Sequence, residues 1–163
     1  MDIKYIFSHY FPFLGIPKRI IHALVDAISP TKSYSQHGED VFIFDYLSKI
    51  NQLDGVYIDV GANHPTSISN TYLFYRKGYS GLTIEPNTEL ARLLRWFRKR
   101  DRVFQIGVDK QCGLFELNIN KAPVLSSFKK INNKDLWKSL NVPVLRLDDV
   151  SNFAELEKIF LLR

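Results

Sequence analysis

The sequence holds a single cysteine, Cys112, among 163 residues. That excludes an internal disulfide and any metal site built from several thiolates, and it fits a reducing compartment. Its neighbours, Lys110-Gln111-Cys112-Gly113, read as a surface turn, so the thiol is assigned no chemistry and no metal site is expected. Nor is there an uninterrupted apolar run near the ~20 residues that a membrane span needs. The N-terminal stretch is greasy (Tyr5, Ile6, Phe7, Tyr10, Phe11, Phe13, Leu14), but Pro12 and Pro17 break it. A secretory signal would have a basic start and a clean apolar core before small residues. Asp2 and the prolines argue against one, so the expected location is cytoplasmic. Internal repeats and low-complexity segments are also lacking.

What is present suits one folded domain. Hydrophobic residues make up 45% and charged residues 24% of the chain, ordinary values for a globular protein with a real core. The formal net charge is +5 and the pI is near 9.3. The excess is concentrated between Arg92 and Arg102. A solvated helix face explains that run more simply than a nucleic-acid stripe, and no nucleic-acid partner is expected. An acidic surface or lipid headgroups would suit the same run.

In chain order, residues 1–32 form an N-terminal segment and residues 33–163 the main domain. The segment opens with the aromatic arm and continues as an amphipathic helix, Lys18 to Ile28, striped by Ile20, Ile21, Leu24, Val25 and Ile28. That stripe either packs on the domain or makes weak contact with a membrane surface beside the arm. Ser29-Pro30 stops the helix. A polar loop from Ser33 to Asp40 leads into a second helix, with Val41, Phe42, Phe44, Tyr46 and Leu47 as its broad apolar face. Farther on, Asn87 or Thr88 caps a helix running to about Lys99, with Glu89 in its first turn and Arg98 to Arg100 at its end. Strands are expected over Arg102–Val108, Gly113–Asn118 and Val142–Leu147, with a short helix over Asn133–Leu140. The C-terminus fits two readings. Phe153, Leu156, Ile159 and Phe160 have helical spacing, while Ile159–Leu162 also suits the start of a buried strand.

The chain is organised around Gly55 to Asn87, which reads as strand, glycine turn, helix, strand, acid. Val56 to Val60 is a short β-forming run with Asp59 near its end. Gly61-Ala62-Asn63 supplies residues that are small or tolerate positive φ where the chain must turn. Ser69 to Lys77 has helical spacing, Gly78 stops it, and Gly81 to Ile84 leads to Glu85. This is one βαβ unit with a nucleoside-shaped site at its carboxyl edge. A dinucleotide enzyme would show G-x-G-x-x-G here. Instead there is one glycine with an aspartate before it, which suits a cofactor without phosphates. S-adenosylmethionine fits, with its ammonium near Asp59, its amino-acid tail over Gly61, and its ribose hydroxyls on Glu85. Asn87 would touch the adenosine rim. A nicotinamide site, or a glycine turn with no ligand at all, remains the alternative from spacing alone.

Several motifs recur in register. Ser35-Gln36-His37-Gly38-Glu39-Asp40 is followed by Tyr57-Ile58-Asp59-Val60-Gly61-Ala62-Asn63-His64-Pro65. Ser69-Asn70-Thr71-Tyr72, Lys77-Gly78-Tyr79-Ser80-Gly81 and Ile84-Glu85-Pro86-Asn87 come next. Over about residues 33 to 128 the chain resembles the FkbM family of S-adenosylmethionine-dependent methyltransferases. The resemblance implies an α/β fold, a Rossmann-like (class I methyltransferase) open sheet with helices on both faces. It also implies O-methylation of a small-molecule or glycan hydroxyl, with Asp59, Gly61, Ala62, Asn63 and Glu85 holding the donor. Such a reaction needs alignment of acceptor oxygen, methyl and sulfur, and a base for the hydroxyl proton. His64 is the nearest base to the glycine turn; it serves either in that role or to order the turn before Pro65. His37, Glu39 and Asp40 are expected to fold over the same edge, with Glu39 alternatively capping the next helix.

The family continues through a buried strand of pattern L-K-I-D-V-E-G, where this sequence reads Ile159-Phe160-Leu161-Leu162-Arg163. The expectation is therefore a sheet incomplete in its C-terminal half and a truncated member of the family. The donor half-site is kept, the acceptor wall is missing, and activity returns only if a partner chain completes the sheet. The alternative is a catalytically inactive donor-binding or protein-interaction module.

Overall fold

A computed structural model describes residues 17–28, 32–122, 125–130 and 132–163. The aromatic arm and the Ser29-Pro30 stop lie outside them. The helices are α1 (Lys18–Ile28), α2 (Glu39–Lys49), α3 (Tyr72–Arg76), α4 (Thr88–Phe97) and α5 (Leu147–Phe153). The strands are β1 (Val56–Val60), β2 (Gly81–Ile84), β3 (Arg102–Phe104), β4 (Gly107–Val108), β5 (Gly113–Asn120), β6 (Leu136–Leu145) and β7 (Ile159–Leu162). Among the described residues no helix is long and apolar enough to cross a membrane.

The main sheet has the order β3-β2-β1-β7, with every pairing parallel. Parallel pairing needs crossovers, and α3 supplies the one between β1 and β2. Side chains alternate across β1, so Ile58 and Tyr57 serve opposite faces. Ile58 joins Leu82, Ile84, Val150 and Ala154 under α5. Tyr57 joins Leu47 of α2 and Phe74 of α3. Helices thus cover both faces, and each fully buried Ile or Leu contributes on the order of 1.5–3 kcal/mol. Gly81 is required by contact: a Cβ there would collide with the ring and carbonyl of Tyr57. The architecture is α/β with a mostly parallel sheet, compatible with a Rossmann-like fold.

A second sheet, in the order β4-β6-β5, pairs β5 with β6 antiparallel and packs Leu117, Ile119, Val142 and Val144. Here the structure corrects the sequence reading. Leu136 to Leu140 is strand, not helix, and alternate residues of β6 turn inward. Lys138 on the inward face and the exposed Trp137 on the other hide that period. The expected strand Arg102–Val108 is split between the sheets as β3 and β4, and the strand expected to reach Leu147 ends at Leu145. The C-terminal ambiguity divides in the same way. Helix α5 ends at Phe153, and Ile159–Leu162 is a strand paired with β1.

Two helix faces differ from expectation. In α1 the buried residues are Ile21, Ala23 and Val25, whereas Leu24 and Ile28 of the expected stripe are exposed. In α2, Phe42 and Tyr46 are exposed, while Val41 and Phe44 pack inward. Helix α1 is tied to the β1–α3 loop: Thr66 and Ser67 hydroxyls donate to Asp26 Oδ2 at 2.9 and 2.8 Å. Arg76 Nη1 donates to the carbonyls of Asp26 and Ala27 at the helix end, where a cation is favoured.

Candidate functional site

After β3 the chain leaves that side of the sheet, and β7 joins the other side of β1. The carboxyl edge at such a reversal is where open α/β sheets take ligands. Gly61 follows β1 there and Glu85 follows β2.

The turn and the acid are locked together. Gly61 (φ +72°) and Asn63 (φ +56°) adopt the left-handed conformation. The Gly61 and Ala62 amides both donate to Ile84 O, at 2.8 and 3.1 Å. The Asn63 amide donates to Glu85 Oε2 at 2.8 Å, and the Asn87 amide to Glu85 Oε1 at 2.8 Å. Burial raises the Glu85 pKa, against the lowering effect of the Asn87 and Asn63 amides. Asn87 caps α4, its Oδ1 accepting the Glu89 amide at 3.0 Å. Its Nδ2 is buried without a partner.

These features can be tested against a nucleoside. A Cβ built on Gly61 meets open space, so a ligand can approach the backbone there. Each Glu85 oxygen has one amide and retains a lone pair for a hydroxyl. Asn87 Nδ2 is an orphaned donor beside that acid. The set fits a hydroxyl-rich, phosphate-free group.

Asp59 is engaged in a buried network. Its Oδ2 accepts Thr71 Oγ1 at 2.6 Å, and its Oδ1 accepts Arg163 Nη1 at 3.1 Å. Arg98 Nη1 lies 3.9 Å from Asp59 Oδ2, and Arg98 Nε lies 2.7 Å from Asp101 Oδ2. Arg98 Nη2 donates to Thr71 Oγ1 at 2.8 Å and to Tyr57 Oη at 3.0 Å. Tyr57 Oη in turn donates to Asp101 Oδ1 at 2.6 Å. Burial opposes the Arg98 charge, but Tyr57, Asp101 and Asp59 outweigh it and raise the pKa. Burial likewise raises Asp101, against Arg98. Charges Arg98 and Arg163 balance Asp101 and Asp59.

Arg98 is thus not part of a solvated helix end, as its basic neighbours suggested. It is 0% exposed, and α4 stops at Phe97 before it. Sequence reasoning also missed Tyr57, Thr71 and Asp101. One signal was available: Tyr57 lies two residues before Asp59 in a strand, on the same face, and a buried phenol requires a partner.

His64 has both ring nitrogens occupied. Its Nδ1 accepts the Thr66 and Ser67 amides at 3.3 and 3.1 Å. Its Nε2 then carries the proton and donates to Arg19 O at 3.0 Å. Burial lowers its pKa. This arrangement orders the turn and docks α1 onto it. Glu39 sits at the start of α2 and accepts the His37 amide at 2.9 Å. Hydrogen bonds, first from its own backbone, then from Ser35 and His37, lower its pKa to about 2. Asp40 is spent inside its own loop, accepting the Tyr34 and Val41 amides and the Ser33 and Ser35 hydroxyls.

The structure therefore brings Gly61, Ala62, Asn63, Glu85 and Asn87 into one bonded cluster. Asp59 lies beneath it, and His64 faces α1. Comparison with protein-family models, with curated proteins and with solved structures finds no match to this chain.

Proposed function

We propose that the carboxyl edge of β1 and β2 is a donor site for S-adenosylmethionine, in a chain of O-methyltransferase type related to the FkbM family. The acceptor is a hydroxyl of a glycan or related metabolite. The observation that carries this reading is the lock between the Gly61 turn and Glu85. It leaves open space over a backbone turn beside a carboxylate with free lone pairs. Bound there, the cofactor supplies an electrophilic methyl group. Glu85 takes the ribose hydroxyls, Gly61 and Ala62 border the amino-acid tail, and Asn87 Nδ2 reaches the nucleoside rim. Asp59 acts as a fixed buried charge that holds Thr71 and Arg163 under the edge.

A second reading, a non-catalytic donor-binding module, is favoured by His64. With Nδ1 accepting two amides and Nε2 donating to Arg19 O, it has no nitrogen free for an acceptor proton. Incubation with methyl-labelled donor and a panel of hydroxyl-bearing glycans separates the two. Label in the acceptor supports the enzyme; donor binding without transfer supports the module. No donor binding overturns both.

A further inference from the structure

Away from the β1–β2 edge lies a cavity of about 400 Å³, lined by Lys32, Tyr34, Val41, Phe44, Asp45, Leu73, Arg76 and Lys77. None of the edge residues lines it. Its floor is aromatic and firm: Tyr34 and Leu73 are buried with Tyr72, and Val41 and Phe44 pack against them. The Tyr34 and Tyr72 rings meet edge to face with centroids 4.7 Å apart. Its rim is cationic. Lys77 Nζ stands 5.5 Å from the Phe44 ring centre, so charge and aromatic surface adjoin. Arg76 is held by the Asp26 and Ala27 carbonyls, which fix the guanidinium without neutralising it.

Among the described residues, Lys32, Arg76 and Lys77 form no ion pair with a carboxylate. Among the described residues lining the cavity, Asp45 is the one acid. Away from the cavity, Arg19 and Lys138 both pair with Glu89. A concave site of this size with an apolar floor and a few convergent polar groups is the form that small-molecule sites take. Cationic side chains without a carboxylate partner at its mouth favour an anion such as a phosphate, with Lys32 and Lys77 exposed beside it.

We propose that this cavity is a second ligand site, for a phosphate monoester carrying a planar or apolar body. The phosphate meets Lys32, Arg76 and Lys77, the body lies on Tyr34 and Phe44, and Asp45 accepts a hydroxyl or amine of the ligand. The site is independent of the donor-site reading.

Phenyl phosphate serves as the free probe, inorganic phosphate as the charge-only control, and phosphatidic acid vesicles as the lipid source. The full chain is compared with a Lys32→Ala/Lys77→Ala variant, both positions being exposed, with circular dichroism and melting confirming the fold. Phenyl phosphate is expected to bind with a near-millimolar Kd, more tightly than inorganic phosphate. The variant should bind at least tenfold more weakly, as should the wild type in high salt. Vesicle binding that the variant loses, without phenyl phosphate binding, would support the site with a headgroup as its ligand. Binding of neither probe, or binding equal in both proteins, would overturn the proposal.

Discussion

The Glu85 carboxylate accepts the Asn63 amide at 2.8 Å, so the acid after β2 holds the turn after β1 in its left-handed conformation. The site residue and the shape of the site are one device. Glutamine can keep only one of the two amide bonds, since its NH2 would face the other N–H. Glu85→Gln should cost about 1–3 kcal/mol in urea unfolding at neutral pH.

That cost should depend on pH. Burial raises the folded Glu85 pKa above its ordinary 4.5. As pH rises, the unfolded chain ionises first, so the contribution of this group is full below about pH 4.5 and is lost as pH passes the folded pKa. Other carboxylates titrate in the same window, and the difference between wild type and Glu85→Gln isolates this one. Wild type should lose stability relative to the variant as pH rises from 4 to 7. A difference independent of pH would remove the burial argument.

Arg98 should be among the most sensitive positions in the chain. Arg98→Met leaves Asp101 and Asp59 without their buried partner, and breaking such a pair costs about 3–5 kcal/mol. Lysine keeps the charge but has no fork to span Tyr57, Thr71 and Asp101 together. Arg98→Lys should recover only part of the loss. Urea midpoints for the two variants test this; an unchanged midpoint in Arg98→Met would refute the network.

These residues also show where the sequence was legible. The β1–turn–α3–β2–acid unit could be read because its signals are local: a β-forming run, a lone glycine, a helical spacing, a strand-end carboxylate. Arg98 could not, because it sits in a basic run that looks solvated. Only the assembled sheet brings Tyr57 and Thr71 around it. The strand β6 has polar and apolar residues over Leu136–Leu140 that fit a helical period as well as a strand period. Its pairing with β5 decides the matter. The four residues of β7 were equally ambiguous, and their pairing with β1 resolved them. Nothing in the sequence signalled that the short β3 and β4 would enter different sheets.

His64 should behave as a structural residue. Burial lowers its folded pKa below the ordinary 6.5, so its contribution is full above about pH 6.5 and is lost as pH falls through the folded pKa. His64→Ala should destabilise the chain by about 1–3 kcal/mol at pH 7.5 and flatten its loss of stability between pH 7 and 5. It should also speed amide exchange in α1, which His64 holds through Arg19 O. Unchanged exchange there would contradict the docking role.

The donor site itself is tested most directly by calorimetric titration of S-adenosylmethionine into wild type, Gly61→Val and Glu85→Gln. Valine at φ +72° strains the backbone by about 1–2 kcal/mol and fills the open space above the turn. The account predicts saturable 1:1 binding to wild type, at least tenfold weaker in both variants while each remains folded. No binding to wild type, or equal binding to all three, would contradict it.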